Sequence, residues 1–198
     1  MKSKYYLLFT AWLLLSGCSS KSNFYQLHTA QINSANKTTN LKRTVIGVAE
    51  VDIPEYLDKP EVVTRLSQGR MQVNETERWA GAFDKNIQSV MTENLSGLLP
   101  KYSFMSYPWD EPVKEKYRIY LSIVHFDGDT TTGMVRLEGR WTLVNMNDNS
   151  VVTGQNIQYH EYVATHKSVA TIDEMVAMQS QMLNKLSRLI AGKVLRYL

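Results

Sequence analysis

Apolar positions along the chain change period several times, and each change predicts an element. Residues 44–51 (Thr-Val-Ile-Gly-Val-Ala-Glu-Val) are β-rich. Residues 62–66 and 71–73 read as two short strands joined by a turn at Ser67-Gln68-Gly69-Arg70. Phe83, Ile87, Val90, Met91, Leu95 and Leu98 recur at helical spacing. The segment Glu77-Arg78-Trp79-Ala80-Gly81-Ala82-Phe83 opens that helix, and Pro100 stops it. Three longer strands follow. In the first, Tyr117, Ile119, Leu121 and Ile123 alternate with Arg118, Tyr120, Ser122 and Val124. In the second, Val135, Leu137, Trp141 and Leu143 face one way, and Arg136, Glu138, Arg140 and Thr142 face the other. Residues 151–162 pair back through the turn Asn147-Asp148-Asn149-Ser150. Such alternation gives one core face and one face for water or a partner. Ile172, Val176, Leu183, Leu186, Ile190 and Val194 then form one stripe of a long helix. Thr171 can cap it, and Asp173 and Glu174 suit its positive end. The order predicts an α+β sandwich, a mixed, mostly antiparallel sheet packed on one face by two helices.

Apolar residues make up 43% of the 198 and charged residues 21%, which is ordinary globular composition and allows one domain. Two of the 22 basic residues, Lys2 and Lys4, fall in a leader, so 20 remain against 19 acidic ones. With no basic run longer than Lys42-Arg43 and no recognition motif, nucleic acid is not an expected partner.

The start of the chain follows a different logic. After Lys2 and Lys4, residues 5–15 form an apolar run of about 16 Å if helical, too short for a bilayer core. Small residues and Cys18, the one cysteine of the chain, come next. This architecture reads as an export signal. Leu15-Ser16-Gly17-Cys18 resembles a bacterial lipobox. That resemblance implies a diacylglycerol thioether on Cys18, cleavage before it and acylation of the new amine by a palmitate-type chain. Three acyl chains, at ~0.8 kcal/mol per buried CH₂, anchor a protein stably. Ser19 lacks the aspartate that resembles an inner-membrane retention signal, which implies the outer membrane, facing the periplasm. The expected organisation is residues 1–17 as signal peptide, 18–40 as lipidated cysteine and flexible tether, and 41–198 as one domain, with a short first strand at residues 24–27.

The sequence nominates no catalytic set, metal site or cofactor. It has no Gly-rich phosphate loop, no Gly-x-Ser-x-Gly elbow and no His-Glu-x-x-His helix. His28, His125, His160 and His166 read as scattered polar residues. Asp127-Gly128-Asp129 lacks the later acidic ligands of a calcium loop and reads as a hairpin turn. Asp52, Glu55 and Asp58 read as surface and turn charges. The chain is therefore expected not to be an enzyme.

One segment stands out. Residues 53–65 leave a strand, turn through Pro54 and Pro60, and enter another strand. Each proline fixes its own φ and keeps its predecessor extended. Tyr56 and Leu57 sit between them, and Trp79 comes later; these three either pack the base of the domain or anchor an interface. The interface candidates are Pro54, Tyr56, Leu57, Pro60, Arg65 and Trp79. The pattern Ile53-Pro54-x-Tyr56-Leu57-x-x-Pro60-x-Val62-Val63-x-Arg65, then Arg78-Trp79 before a helix ending Leu98-Leu99-Pro100, resembles the ABC-type transport auxiliary lipoprotein family, the family of paraquat-inducible protein C-like membrane integrity lipoproteins. It departs at Lys59, often Arg, and at Gly81-Ala82-Phe83, often a Pro-Leu pair. The resemblance implies a non-catalytic lipoprotein that docks or stabilises a periplasm-spanning mammalian-cell-entry (MCE) conduit with its inner-membrane transporter component. It also implies a homo-oligomeric ring, for which an edge strand or the proline loop is a candidate interface. A stand-alone lipid- or glycan-binding lipoprotein is the other reading the residues leave open.

The anchor yields the first test. Cys18→Ser is expected to give an unlipidated protein that leaves the membrane fraction in high salt, read by fractionation and by mass analysis of the N-terminus.

Overall fold

Three long strands and two amphipathic helices carry the architecture in a computed structural model of the chain, which describes residues 21–30, 43–66, 69–109, 112–163 and 169–198. In order, the elements are β1 (Asn23–Tyr25), β2 (Val45–Val48), β3 (Glu61–Leu66), β4 (Arg70–Trp79), α1 (Phe83–Leu98), β5 (Ser103–Ser106), β6 (Tyr117–Gly128), β7 (Met134–Asn145), β8 (Ser150–Tyr162) and α2 (Ile172–Tyr197). The larger sheet runs β5-β2-β6-β7-β8. β2 is parallel to both its neighbours, while β6, β7 and β8 form an antiparallel meander. The smaller sheet runs β1-β4-β3. The fold is thus α+β, with the strands divided between two sheets rather than gathered into one.

Both helices bury the stripe that their spacing predicts. Ile87, Leu95, Leu183, Leu186, Ile190 and Val194 are each 0% exposed, against Leu137, Trp141 and Leu143 of β7, also 0%. Apolar burial at ~25 cal/mol per Å² makes this layer the main source of stability. Two buried glutamines pin the layers in register. Gln88 of α1 donates to the Val48 carbonyl at 2.9 Å and to the Tyr107 carbonyl at 2.7 Å. Gln179 of α2 donates to the Phe126 carbonyl at 3.0 Å.

Four expectations are corrected. Trp79 does not open the helix; it ends β4, a ten-residue strand, and stacks on Phe83, the first residue of α1, at 4.2 Å. The first strand, expected at residues 24–27, lies at 23–25, and the expected tether is bound to the body as far as Ala30. β1 pairs with β4, Leu27 is 3% exposed, and the Leu27, His28 and Ala30 amides donate to Asn86, Ser180 and Asn94, so this segment straps the two helices. β5 was not predicted, because four residues carry too short a pattern. Finally, the alternation of β6 breaks at a bulge between Ile123 and His125. An extra residue reverses which face the following side chains take. Phe126 therefore enters the core while His125 and Asp127 turn to the opposite face. Cys18, His166 and most of the expected tether lie outside the described residues.

At the start of α2, Thr171 Oγ1 accepts from the Glu174 amide and the Glu174 carboxylate accepts from the Thr171 amide, a complete capping box. Thr171→Ala is expected to lower the free energy of unfolding by about 1 kcal/mol, with unchanged cooperativity in urea denaturation.

Candidate interface loop and the carboxylate that holds it

The proline loop is built as an outgrowth of β6. Its root is zipped to that strand: the Asp52 amide donates to the Leu121 carbonyl at 3.0 Å, and the Ile123 amide donates back to Asp52 at 2.8 Å. The Leu57 amide then closes a turn onto the Pro54 carbonyl at 2.9 Å, and the Trp79 amide donates to the Pro60 carbonyl at 2.8 Å. Prolines at both ends remove two φ freedoms from the same segment.

Beneath the loop lies Asp127, whose side chain is 1% exposed. A buried carboxylate persists only if it is paired and hydrogen-bonded. Here three groups converge on it. Tyr56 from the loop donates its hydroxyl proton at 2.6 Å. Arg65 from β3 donates through Nε at 3.3 Å. Arg136 from β7 grips both oxygens, at 3.1 and 3.2 Å. Arg136 also reaches His125 Nδ1 at 3.0 Å. Because arginine has only donors, His125 Nδ1 must accept, which assigns the ring proton to Nε2. Burial, then the bond to Asp127, raises the Tyr56 pKa well above its ordinary 10.0.

The six sequence-predicted interface residues therefore separate. Leu57 is 4% and Trp79 7% exposed, so both are packed into the chain's own core. Pro54, Tyr56 and Arg65 are half-buried, and Pro60 is exposed. The outer rim is Pro54, Glu55, Asp58, Lys59 and Pro60. Asp127, His125 and Arg136, which hold the loop from below, were missed as a site. The signal was present: Phe126 falls three residues after Ile123, a step that period-two alternation forbids without a bulge.

A second cluster was also missed. Arg118 lies with its guanidinium carbon 3.8 Å from the Tyr107 ring centre and pairs with Glu115. The other Glu115 oxygen is buried with no hydrogen-bond partner among the described residues, and it lies against Gly47, where an added Cβ would collide with it. Among the described residues no group of three or more His, Cys, Asp or Glu is placed to hold a metal ion, and no helix is long and apolar enough to cross a membrane. An open cavity of about 280 Å³ lies beside Trp79, Tyr25 and Lys85.

The family model of the ABC-type transport auxiliary lipoprotein component matches residues 25–191, all but the two ends of the chain. The chain belongs to that family. Intermembrane transport lipoprotein PqiC of Escherichia coli K12 is 28% identical over 143 residues, covering 71% of this chain and 74% of the relative, and PqiC of Shigella flexneri matches equally. Two crystal structures share the fold of this auxiliary lipoprotein. One, of an uncharacterised protein, has a TM-score of 0.72 at 20% identity and covers 88% of this chain and 99% of its own. The other, from Xanthomonas campestris, has a TM-score of 0.69 at 16% identity and covers 89% and 96%.

Asp127→Asn leaves two guanidinium groups facing a neutral amide. Removing one member of a buried pair costs 3–5 kcal/mol, and because Arg65 and Arg136 keep 20% and 16% exposure, about 3 kcal/mol is expected in urea unfolding. Tyr56→Phe is expected to cost about 1.5–3 kcal/mol at neutral pH. Since the fold raises the Tyr56 pKa, the hydroxyl's contribution is complete below pH 10 and fades as pH rises above it. Alkaline denaturation of the Phe variant should accordingly show a shallower fall.

Proposed function

We propose that this auxiliary lipoprotein is a non-catalytic docking piece of a lipid-transport assembly. It is held by acylated Cys18 at the periplasmic face of the outer membrane. It engages an MCE-type periplasmic protein whose inner-membrane component lies across the envelope. In this role it supports lipid traffic between the membranes and so membrane integrity. Family membership and the relatives named as intermembrane transport lipoproteins support the reading.

The observation that carries it is the fixed loop. A docking surface gains affinity when its geometry is set before contact, because less entropy is lost on binding. Residues 54–60 meet that condition, with Leu57 in the core, Tyr56 bound to Asp127, and a rim of Pro54, Glu55, Asp58, Lys59 and Pro60 left outside. The charged rim residues Glu55, Asp58 and Lys59 are exposed, so they can be altered while the carboxylate beneath is left alone.

Affinity capture of the mature lipoprotein from detergent-solubilised envelopes is expected to recover an MCE-domain protein, identified by mass spectrometry. Asp58→Lys with Lys59→Glu is expected to reduce that recovery while unfolding unchanged in urea. Absence of every transporter component, under conditions that keep other envelope complexes intact, contradicts the docking role. Stoichiometric lipid on an isolated monomer supports the carrier reading instead.

A further inference from the structure

The meander has a second face, formed by the side chains that alternate with the buried Leu121, Ile123, Leu137 and Trp141. At its middle Ser122, Arg140 and Asn156 stand side by side across β6, β7 and β8. Glu138 and Gln158 pair in the next row on one side, and Tyr120 lies in the row on the other. A shallow open cavity of about 300 Å³ lies over this centre, with Val124 at its border. The proline loop stands at one end of the same face, where Tyr56 reaches Asp127 at 2.6 Å and His125 at 3.3 Å. Most polar groups here are paired. His160 Nε2 donates to Glu138 at 2.6 Å, and Ser122 donates to Asp52 at 2.8 Å. The side chains of Arg140, Asn156 and Gln158 are different: they bond to no other described residue. Three planar hydrogen-bonding groups thus border one cavity with their bonds open to a ligand.

We propose that this face binds a neutral saccharide, with its sugar rings laid over Arg140, Asn156 and Gln158. Three features select that chemistry. The first is hydrogen bonding. A side-chain amide carries a donor and an acceptor on neighbouring atoms, and a guanidinium carries parallel donors. Adjacent hydroxyls of a sugar match both arrangements. The second is charge. Arg140 shares its row with Asp52, through Ser122, and has Glu138 in the next row. The cavity therefore carries no net positive charge, and an anion would meet a carboxylate on two sides. The third is apolar surface. Val124 is 55% and Tyr120 39% exposed on this face. A pyranose has an apolar C–H face, and an exposed aromatic ring is a platform for it. The scale also fits. Tyr120 to Val124 spans about 14 Å at ~3.4 Å per residue, the length of two sugar rings. The cavity volume stands at the lower end of the range for small-ligand sites. All of these groups are carried on paired strands rather than loops, which fixes their spacing before a ligand arrives. The site uses none of the loop's rim and is independent of the docking role.

Saturation-transfer NMR tests this on the mature lipoprotein, in micelles of a detergent without a sugar headgroup. The probes are cellobiose and N,N′-diacetylchitobiose. Saturable transfer to the ring C–H protons of at least one of them, in the millimolar range, is expected. Arg140→Ala with Gln158→Ala is expected to weaken that binding about tenfold or more. Both side chains are exposed, so circular dichroism and urea unfolding of this variant should match the native protein. Tyr120→Ala is expected to remove transfer to the ring protons, and Tyr120→Phe to keep it. Asp58→Lys with Lys59→Glu is expected to bind the sugars as the native sequence does. No saturable transfer from either disaccharide overturns the proposal. So does binding that the Arg140 and Gln158 changes leave intact. Displacement of the sugar by inorganic phosphate marks an anion site and overturns the choice of a neutral ligand.

Discussion

A carboxylate cannot be taken out of water without compensation, and Asp127 is almost wholly out of water. Its compensation comes from Tyr56 in the proline loop, Arg65 in the small sheet and Arg136 in the large one. The three elements that surround Asp127 are therefore fixed relative to one another by a single charge. Burial alone would not give that direction, because apolar contact is non-directional. A guanidinium fork that grips both carboxylate oxygens specifies orientation as well as proximity. The helices and the meander pack through apolar contacts to which the Asp127 carboxylate does not contribute, but the position of the loop depends on that carboxylate.

Long periodic segments were legible because their pattern repeats often enough to exclude the alternative. α1, α2, β7 and the Thr171 cap follow directly from residue spacing. The failures have physical causes. β1 and β5 are three and four residues long, and partners far away in the chain hold them. Trp79 lies four residues before Phe83, a helical step, yet its indole meets the Phe83 ring across a strand-to-helix corner. Asp127 looked like turn chemistry because it neighbours Gly128 and Asp129. Only the bulge after Ile123 sends its side chain under the loop. The proline loop was conspicuous in the sequence, but its division into a buried half and an outer rim was not. Tyr56 and Leu57 are adjacent, and which of them enters the core is decided in three dimensions.

The same division links the fold to the proposed role. A lipoprotein that joins a membrane to an envelope assembly has to transmit position rather than perform chemistry. The segment at residues 23–30 is bonded across both helices and so ties the start of the described chain to the body. The loop leaves the core through a root zipped to β6 and a clasp at Asp127. A surface presented this way moves with the domain.

The central claim is that residues 54–60 are a rigid extension of the core because Asp127 holds them. Amide hydrogen exchange on the mature lipoprotein tests it most directly, at Leu57 and Trp79, whose amides close the loop. The predicted result is protection approaching that of β6, lost at Leu57 but retained in β6 and β7 when Asp127 is changed to Asn. Fast exchange at Leu57 in the native protein, or protection that survives the loss of the carboxylate, would contradict the account.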